Sequence, residues 1–281
     1  MTRSIDHVVF AADNLETVRQ SFEAAGFETF YGGTHSNGVT HMHLIGFGNL
    51  SYVELISKND LEKTAPWWDE QIDTNAGATA WSITVEDIEA ESERLADEGF
   101  EIEGPTKFSR ERPDGTVVEW ELAVVGERPQ GTPLPMLEMD HTPLEWRVTV
   151  TAAPETTGLM GLTDVVIGTN PERFEETVEG FKQFLGDAEP TVYENEPFGA
   201  RIASFEDSPA AIAEPLDTDS WLSERVNAHD TLLPCAFLVE ATDIETVKQQ
   251  FELDGETSWE NGTVHWFDVD VGGRFGAIDR S

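Results

Sequence analysis

The order of apolar and polar positions repeats four times along this chain. Each time, a strand-like apolar run is followed by an amphipathic helical pattern and then by further strand-like runs. Between run and helix stands an Asp, Asn or Thr with acidic residues after it, as is typical of a capped helix N-terminus. The repeats begin near Ile5, Thr79, Leu162 and Cys235. This pattern predicts four βαβββ units.

A glycine close to the end of each helical pattern supports this division. Gly26, Gly99, Gly186 and Gly255 stand where a helix C-cap is expected. A sheet with one exposed apolar face must bury that face against another element, so four units predict two paired domains. A Thr-, Ala- and Pro-rich stretch suggests the boundary. We therefore predict an α+β fold with domains at 1–147 and 161–281 and a linker at 148–160.

The charge balance is strongly acidic. The 281 residues include 55 Asp and Glu against 17 Lys and Arg, a formal net charge of -38. A dense carboxylate surface stays hydrated in molar salt, where self-repulsion between the acids is screened. We expect a protein from a halophile. The acidity indicates a high-salt environment and says nothing about any reaction that the protein catalyses.

The composition also excludes several classes of partner. So negative a chain repels phosphate backbones and anionic lipid surfaces, so neither nucleic acid nor a membrane is expected as a partner. Cys235 is the only cysteine, which rules out an intrachain disulfide and a thiolate zinc cluster. The first thirty residues lack a signal segment, and no apolar run approaches the length of a membrane span. We expect a cytoplasmic protein.

With these repeats, the chain resembles the vicinal oxygen chelate superfamily, which includes glyoxalase I, methylmalonyl-CoA epimerase, extradiol dioxygenases and bleomycin resistance proteins. The resemblance covers nearly the whole chain and is sharper in the first half. There, four segments are similar to a glyoxalase-like subfamily: Ile5–Val9, Gly33–His41, Ser51–Ile56 and Pro135–Asp140. The resemblance implies that paired modules form cupped mixed sheets.

The resemblance also implies a metal site in the first cup, with ligands on the first and last strand of each module. Those positions hold His7, Glu54 and Glu138, while the fourth holds Ala80, which cannot bind a metal. One His with two carboxylates suits a divalent Mn, Fe, Ni or Zn ion, and three protein ligands leave positions open for substrate. Either Glu54 or Glu138 could then serve as the catalytic base beside an enolate-type intermediate.

Other residues are candidates for substrate binding in the same cup. Three histidines cluster in the first unit, and basic residues are scarce enough in this chain for an arginine to stand out. An arginine could clamp a substrate carboxylate, and a tryptophan could line the cup. The candidates are His35, His41, His43, Arg110 and Trp120. For each of them the alternative is an ordinary structural role.

The second half lacks this pattern. Asp164 and Ala236 occupy its first-strand positions, and no His stands at a ligand position. We interpret this half as a degenerate or scaffold domain, and a homodimer is left open. The sequence thus favours a metal-dependent lyase, isomerase or epimerase acting on a small oxygenated metabolite. Two alternatives remain: a metal-free protein that sequesters a small molecule, as bleomycin resistance proteins do, and a non-enzymatic interaction module.

Overall fold

A computed structural model describes residues 4–35, 37–65, 67–112, 114–126 and 131–281 of the chain. These residues form two curled mixed sheets with few helices, as two paired glyoxalase-like domains require. Among the described residues, no helix is both long and apolar enough to cross a membrane.

The first sheet is built from two βαβββ units and one added strand. Its strands are β1 (Ile5–Ala11), β2 (Phe30–Thr34), β3 (Thr40–Phe47), β4 (Tyr52–Lys58), β5 (Gly77–Thr84), β6 (Ile102–Glu111), β7 (Val117–Val125), β8 (Met136–Asp140) and β9 (Val150–Ala152). Its helices are α1 (Leu15–Ala24), α2 (Asp69–Asp73), α3 (Ile88–Asp97), α4 (Leu144–Arg147) and α5 (Pro154–Thr157).

The second sheet repeats the same order of elements. Its strands are β10 (Leu159–Gly168), β11 (Pro190–Asn195), β12 (Ala200–Phe205), β13 (Ala210–Pro215), β14 (Pro234–Ala241), β15 (Leu253–Trp259), β16 (Gly262–Phe267) and β17 (Arg274–Asp279). Its helices are α6 (Phe174–Phe184), α7 (Trp221–Asn227) and α8 (Ile244–Gln250). The four predicted βαβββ units are therefore confirmed.

The topology places the first strands of paired units at the centre of each sheet. The first sheet runs β2-β3-β4-β1-β5-β8-β7-β6, and the second runs β11-β12-β13-β10-β14-β17-β16-β15. Strand β1 is parallel to β4 and antiparallel to β5, which in turn is parallel to β8. Because first and last strands are neighbours, side chains from β1, β4, β5 and β8 can meet in one cup.

The expected side-chain caps are present at α1, α3 and α8, while α6 begins after Arg173 without a side-chain cap. The side chain of Asn14 accepts a hydrogen bond from the Thr17 amide at 3.0 Å, and Asp87 caps α3 in the same way through Ala90. Asp243 caps α8 through the amides of two residues. These side chains satisfy amides that have no partner within the helix.

The outer faces of the two sheets and their helices share one continuous hydrophobic core. The ring of Phe10 on β1 meets Phe237 on β14 edge to face at 5.2 Å and Phe275 on β17 at 6.1 Å. The stretch 148–160 predicted as a linker contains β9, which pairs with β3 through Gly46 and Val150. Part of this stretch therefore belongs to the first sheet.

The inner face of the second sheet is filled with side chains. Phe198 is 1% exposed and contacts the rings of Trp221 and Trp259, each at 5.1 Å, and of Trp266 at 5.9 Å. Ala236 is buried in the same cluster. Asp164 instead pairs with Arg280 at 2.6 Å. The described residues of this cup thus pack as a core rather than around a cavity.

Candidate functional site

The cup of the first sheet encloses a cavity of about 270 Å³, a volume on the scale of a small-molecule ligand. Its lining combines apolar walls with a small set of charged groups. Among the predicted site residues, the cavity brings together His7, His35, Glu54, Arg110, Trp120 and Glu138.

Aromatic side chains form one wall of the cavity. The ring of Phe108 on β6 stacks on Trp120 of β7 at 6.0 Å and meets Trp67 edge to face at 6.1 Å. Trp68 lies beside them in the segment before α2. Lys58 holds α2 to the sheet through Asp69 at 2.6 Å and Asp73 at 2.7 Å. The wall therefore draws on both units of the first domain and suits a planar apolar group.

A buried ionic network forms the floor. Arg147, at the end of α4, is 4% exposed and donates hydrogen bonds to three carboxylates. It reaches Asp6 at 2.6 and 3.0 Å, Glu138 at 2.6 Å, and Asp140 at 2.8 and 2.9 Å. A further bond goes to the hydroxyl of Tyr52 at 3.0 Å. Such charges remain buried only because each one is paired.

A shift in strand register brings Asp6 and His7 to the same network. The pairing of β1 with β5 slips between Ile5 and His7, so Asp6 has no partner of its own opposite Ser82. A bulge of this kind re-aims side chains. The ring of His7 contacts Asp6 at 2.8 Å and Glu138 at 3.3 Å through Nδ1. Ile5 packs in the hydrophobic core on the outer face of the sheet. Strict alternation along the strand would instead place Ile5 on the same face as His7.

The network shifts the acid–base properties of its members. Burial by itself lowers the pKa of His7, but the charge of Glu138 and the hydrogen bond to Asp6 outweigh it and raise the pKa to about 10. Burial acts to raise the pKa of Asp6, yet Arg147 and His7 hold it well below its usual range. Burial raises the pKa of Glu138, against the opposing effect of Arg147. His7 is therefore a cation at neutral pH.

Asp6, His7 and Glu138 each offer one ligand atom within 4.8 Å of the others, so they define a possible metal site. Their ligand atoms are already engaged, however. Arg147 donates to both oxygens of Asp6 and to Oε1 of Glu138, while Oε2 of Glu138 accepts from Ser82 at 3.1 Å. A divalent ion on these atoms would lie beside the guanidinium charge. In this arrangement the residues do not fit a resident metal.

Glu54, predicted to share a metal with His7 and Glu138, is not part of the ligand group found among the described residues. It lies on β4, is 7% exposed, and has Nε2 of His35 at 3.5 Å. Nδ1 of His35 is held by the hydroxyl of Thr40 at 2.9 Å, which directs the other nitrogen towards Glu54. Glu54 and His35 can therefore exchange a proton with a ligand in the cavity.

Arg110 on β6 also lines the cavity. It donates to the carbonyls of Gly32 at 2.5 Å and Arg147 at 3.0 Å, while its buried Nε has no hydrogen-bond acceptor among the described residues. Burial lowers the pKa of Arg110, and the charge of Glu54 partly opposes this. Arg110 lines the cavity, and its charged guanidinium is suited to bind an anionic group of a ligand.

The structure places the other candidates away from the cavity. His41 and His43 alternate on β3 with the cavity-lining residues, so they project from the other face. There Tyr31 packs against both rings, and His43 bonds to Thr29 at 3.0 Å. The pocket role predicted for these two histidines does not fit this placement. Ala80, at the fourth ligand position, is buried among apolar side chains of the cup.

Sequence reasoning missed Arg147, Asp6 and Asp140. The available signal was a basic residue set among apolar ones just after the last strand of the cup, in a chain with few basic residues. Its partner Asp6 likewise stands inside an apolar strand. Both groups are costly to bury alone, which is itself a reason to expect a pair.

Comparison with known proteins agrees with this architecture. A family model described as a glyoxalase-like domain matches residues 5–184. This range is more than half of the chain, and the chain belongs to the glyoxalase-like domain family. A comparison with curated proteins finds no match.

Three solved structures illustrate the likeness of fold. A hypothetical protein from Staphylococcus aureus is 14% identical, with a TM-score of 0.61, over 97% of this chain and 98% of that chain. A 4-hydroxymandelate synthase variant from Streptomyces coelicolor is 11% identical, with a TM-score of 0.61, over 99% and 92%. A fusion of a xylose isomerase-like TIM barrel and a 4-hydroxyphenylpyruvate dioxygenase is 10% identical, with a TM-score of 0.60, over 99% and 48%. The family match together with this likeness of fold confirms the resemblance to the vicinal oxygen chelate superfamily.

Proposed function

We propose that this protein is an isomerase- or lyase-type enzyme acting on a small carboxylate with a planar apolar group, bound in the first cup. One observation carries the proposal: a buried carboxylate, Glu54, and a guanidinium, Arg110, line the same aromatic-walled cavity. The cavity therefore offers a base, a partner for an anion and a surface for a flat group.

The roles follow from the chemistry of each group. Arg110 would hold the carboxylate or the carbonyl oxygen of the ligand through charge-assisted hydrogen bonds. Glu54 would take a proton from the carbon beside that carbonyl, leaving the electron pair on the oxygen as an enolate. Glu54 or His35 would return the proton, so an isomerase reaction needs no oxidant or reductant.

The site suggests which ligands to test first. Two structural neighbours are named for 4-hydroxymandelate and 4-hydroxyphenylpyruvate, both aromatic acids. The aromatic wall of this cavity would accept such a ring. A panel of aromatic and aliphatic 2-oxo acids, with their neutral amides for comparison, is therefore the first choice.

Isothermal titration calorimetry in molar KCl tests the binding step. We expect carboxylates to bind and their amides to bind more weakly. Arg110→Met should weaken binding by about 10- to 100-fold, because a hydrogen bond to a charged group is worth about 1.5–3 kcal/mol. Arg112→Met is the matched control, since Arg112 directly follows β6, two residues after Arg110, and is not among the described residues that line the cavity. Equal binding by the two variants would contradict the role of Arg110.

Deuterium exchange at the carbon beside the carbonyl, followed by NMR, tests the chemical step. We expect wild type to exceed the uncatalysed rate, and Glu54→Gln to lose about 10²- to 10⁴-fold while still binding the ligand. Binding without exchange in wild type would instead support the sequestration alternative. Exchange at the wild-type rate in Glu54→Gln would exclude Glu54 as the base.

A metal-dependent lyase or isomerase using Mn, Fe, Ni or Zn is the second candidate. The close grouping of Asp6, His7 and Glu138 favours it. It would require Arg147 to leave these ligand atoms. The metal content of the purified protein would separate the two candidates.

A further inference from the structure

The acidic floor of the cup already contains a cation. Asp6 and Glu138 are 3% and 2% exposed, and two buried carboxylates so close together are costly without positive charge. Arg147 supplies that charge from α4, a short helix that follows β8 directly. Its guanidinium bonds to Asp6, Glu138 and Asp140, while His7 bridges Asp6 and Glu138 from the other side.

We infer that the guanidinium of Arg147 is the resident cation of the Asp6–His7–Glu138 cluster and excludes a divalent metal from it. The proposal goes beyond the function proposed above, which concerns Glu54 and Arg110. The cup of this glyoxalase-like domain then works without a metal. The guanidinium of Arg147 occupies the position between the ligand atoms where an ion would otherwise bind.

The geometry supports a permanent role for this group. A planar guanidinium has five N–H donors in a fixed fork, and those of Arg147 point at the Asp6, Asp140 and Glu138 carboxylates and the Tyr52 hydroxyl. The side chain also lies over the ring of Tyr52, with its central carbon 5.5 Å from the centroid. Moving Arg147 aside would break all of these contacts and leave buried carboxylates unpaired.

Metal binding can be measured directly by equilibrium dialysis against Mn²⁺ or Zn²⁺, with elemental analysis of the retained metal. Molar KCl is needed, because a chain of net charge -38 collects divalent ions on its surface at low salt. The variants are Glu138→Gln, Arg147→Met and the double variant. Glu121→Gln is the matched control, since Glu121 lies in the same sheet and pairs with Lys107 and His141 instead.

Wild type, Glu138→Gln and Glu121→Gln are expected to retain equal, sub-stoichiometric metal. Arg147→Met should gain about one equivalent of metal, since Asp6, His7 and Glu138 then face no guanidinium and can bind a divalent ion. Adding Glu138→Gln, in the double variant, should remove that gain. If wild type retains one equivalent of metal and Glu138→Gln does not, the inference is overturned. A folded Arg147→Met protein that gains no metal would overturn it as well.

The comparison of wild type with Glu138→Gln decides the matter even if Arg147→Met does not fold. Metal retention and ligand binding are also separate readouts. If carboxylates fail to bind, the proposed function is contradicted. The inference about Arg147 is unaffected by that result, because only the dialysis experiment tests it.

Discussion

Arg147 and Asp6 lie 141 residues apart in the chain and are joined by two hydrogen bonds of 3.0 and 2.6 Å. The pair ties the first strand of the first unit to the helix that ends the second unit. It therefore closes the floor of the cup and fixes how the two units face each other.

The first prediction concerns the contribution of this pair to stability. Arg147→Met should lower the free energy of unfolding by about 3–5 kcal/mol, because it leaves buried carboxylates without a partner. Arg280→Met is the control. It removes the more exposed ion pair with Asp164 and should cost about 1 kcal/mol or less. Denaturant unfolding in molar KCl without divalent metal measures both, and equal losses would contradict a special role for Arg147.

The second prediction concerns pH. The folded protein raises the pKa of His7 to about 10, against about 6.5 for an unperturbed histidine. A raised pKa contributes stability that is fully present below the unfolded value and is lost as pH rises through the folded value. The free energy of unfolding should therefore fall between about pH 6.5 and 10 in wild type. The slope should be shallower in His7→Gln, and parallel pH profiles would exclude His7 as its source.

The third prediction concerns the filled second cup. Phe198→Ala should lower the free energy of unfolding by about 3–5 kcal/mol, because it opens a cavity among three tryptophan rings. Carboxylate binding in the first cup should stay unchanged. Tyr31→Ala, which truncates a ring that is 52% exposed, should cost far less. A loss no larger than that of Tyr31→Ala would show that Phe198 does not hold this core together.

The fourth prediction concerns salt. With a net charge of -38, lowering KCl from molar to about 0.1 M should unfold or aggregate the protein, since screening of the surface carboxylates is lost. Near-UV circular dichroism during the dilution measures this. An unchanged spectrum throughout would argue against adaptation to high salt.

The repeat of units was readable from the sequence because strand and helix periodicity are local properties. Each apolar run and each cap, such as Asn14 or Asp87, depends on residues a few positions away. The prediction of a degenerate second half also rests on a local property, since Ala236 offers no ligand atom. The resemblance to a known superfamily then supplied the pairing of the units.

Which residues group together in the site could not be predicted in the same way. His7, Glu54 and Glu138 were expected on one metal, but the bulge at Asp6 and the return of Arg147 grouped His7 and Glu138 with different partners. A register shift changes which face a side chain occupies, and alternation along a strand cannot reveal it.

The sequence by itself determined the four units, the acidic surface and the presence of carboxylates in apolar strands. Only the tertiary structure decided which charges neutralise each other, because Asp6 and Arg147 meet through the curl of a whole sheet. The free energy of burying a charged side chain depends on partners far away along the chain. For the carboxylate of Asp6, that partner is the guanidinium of Arg147.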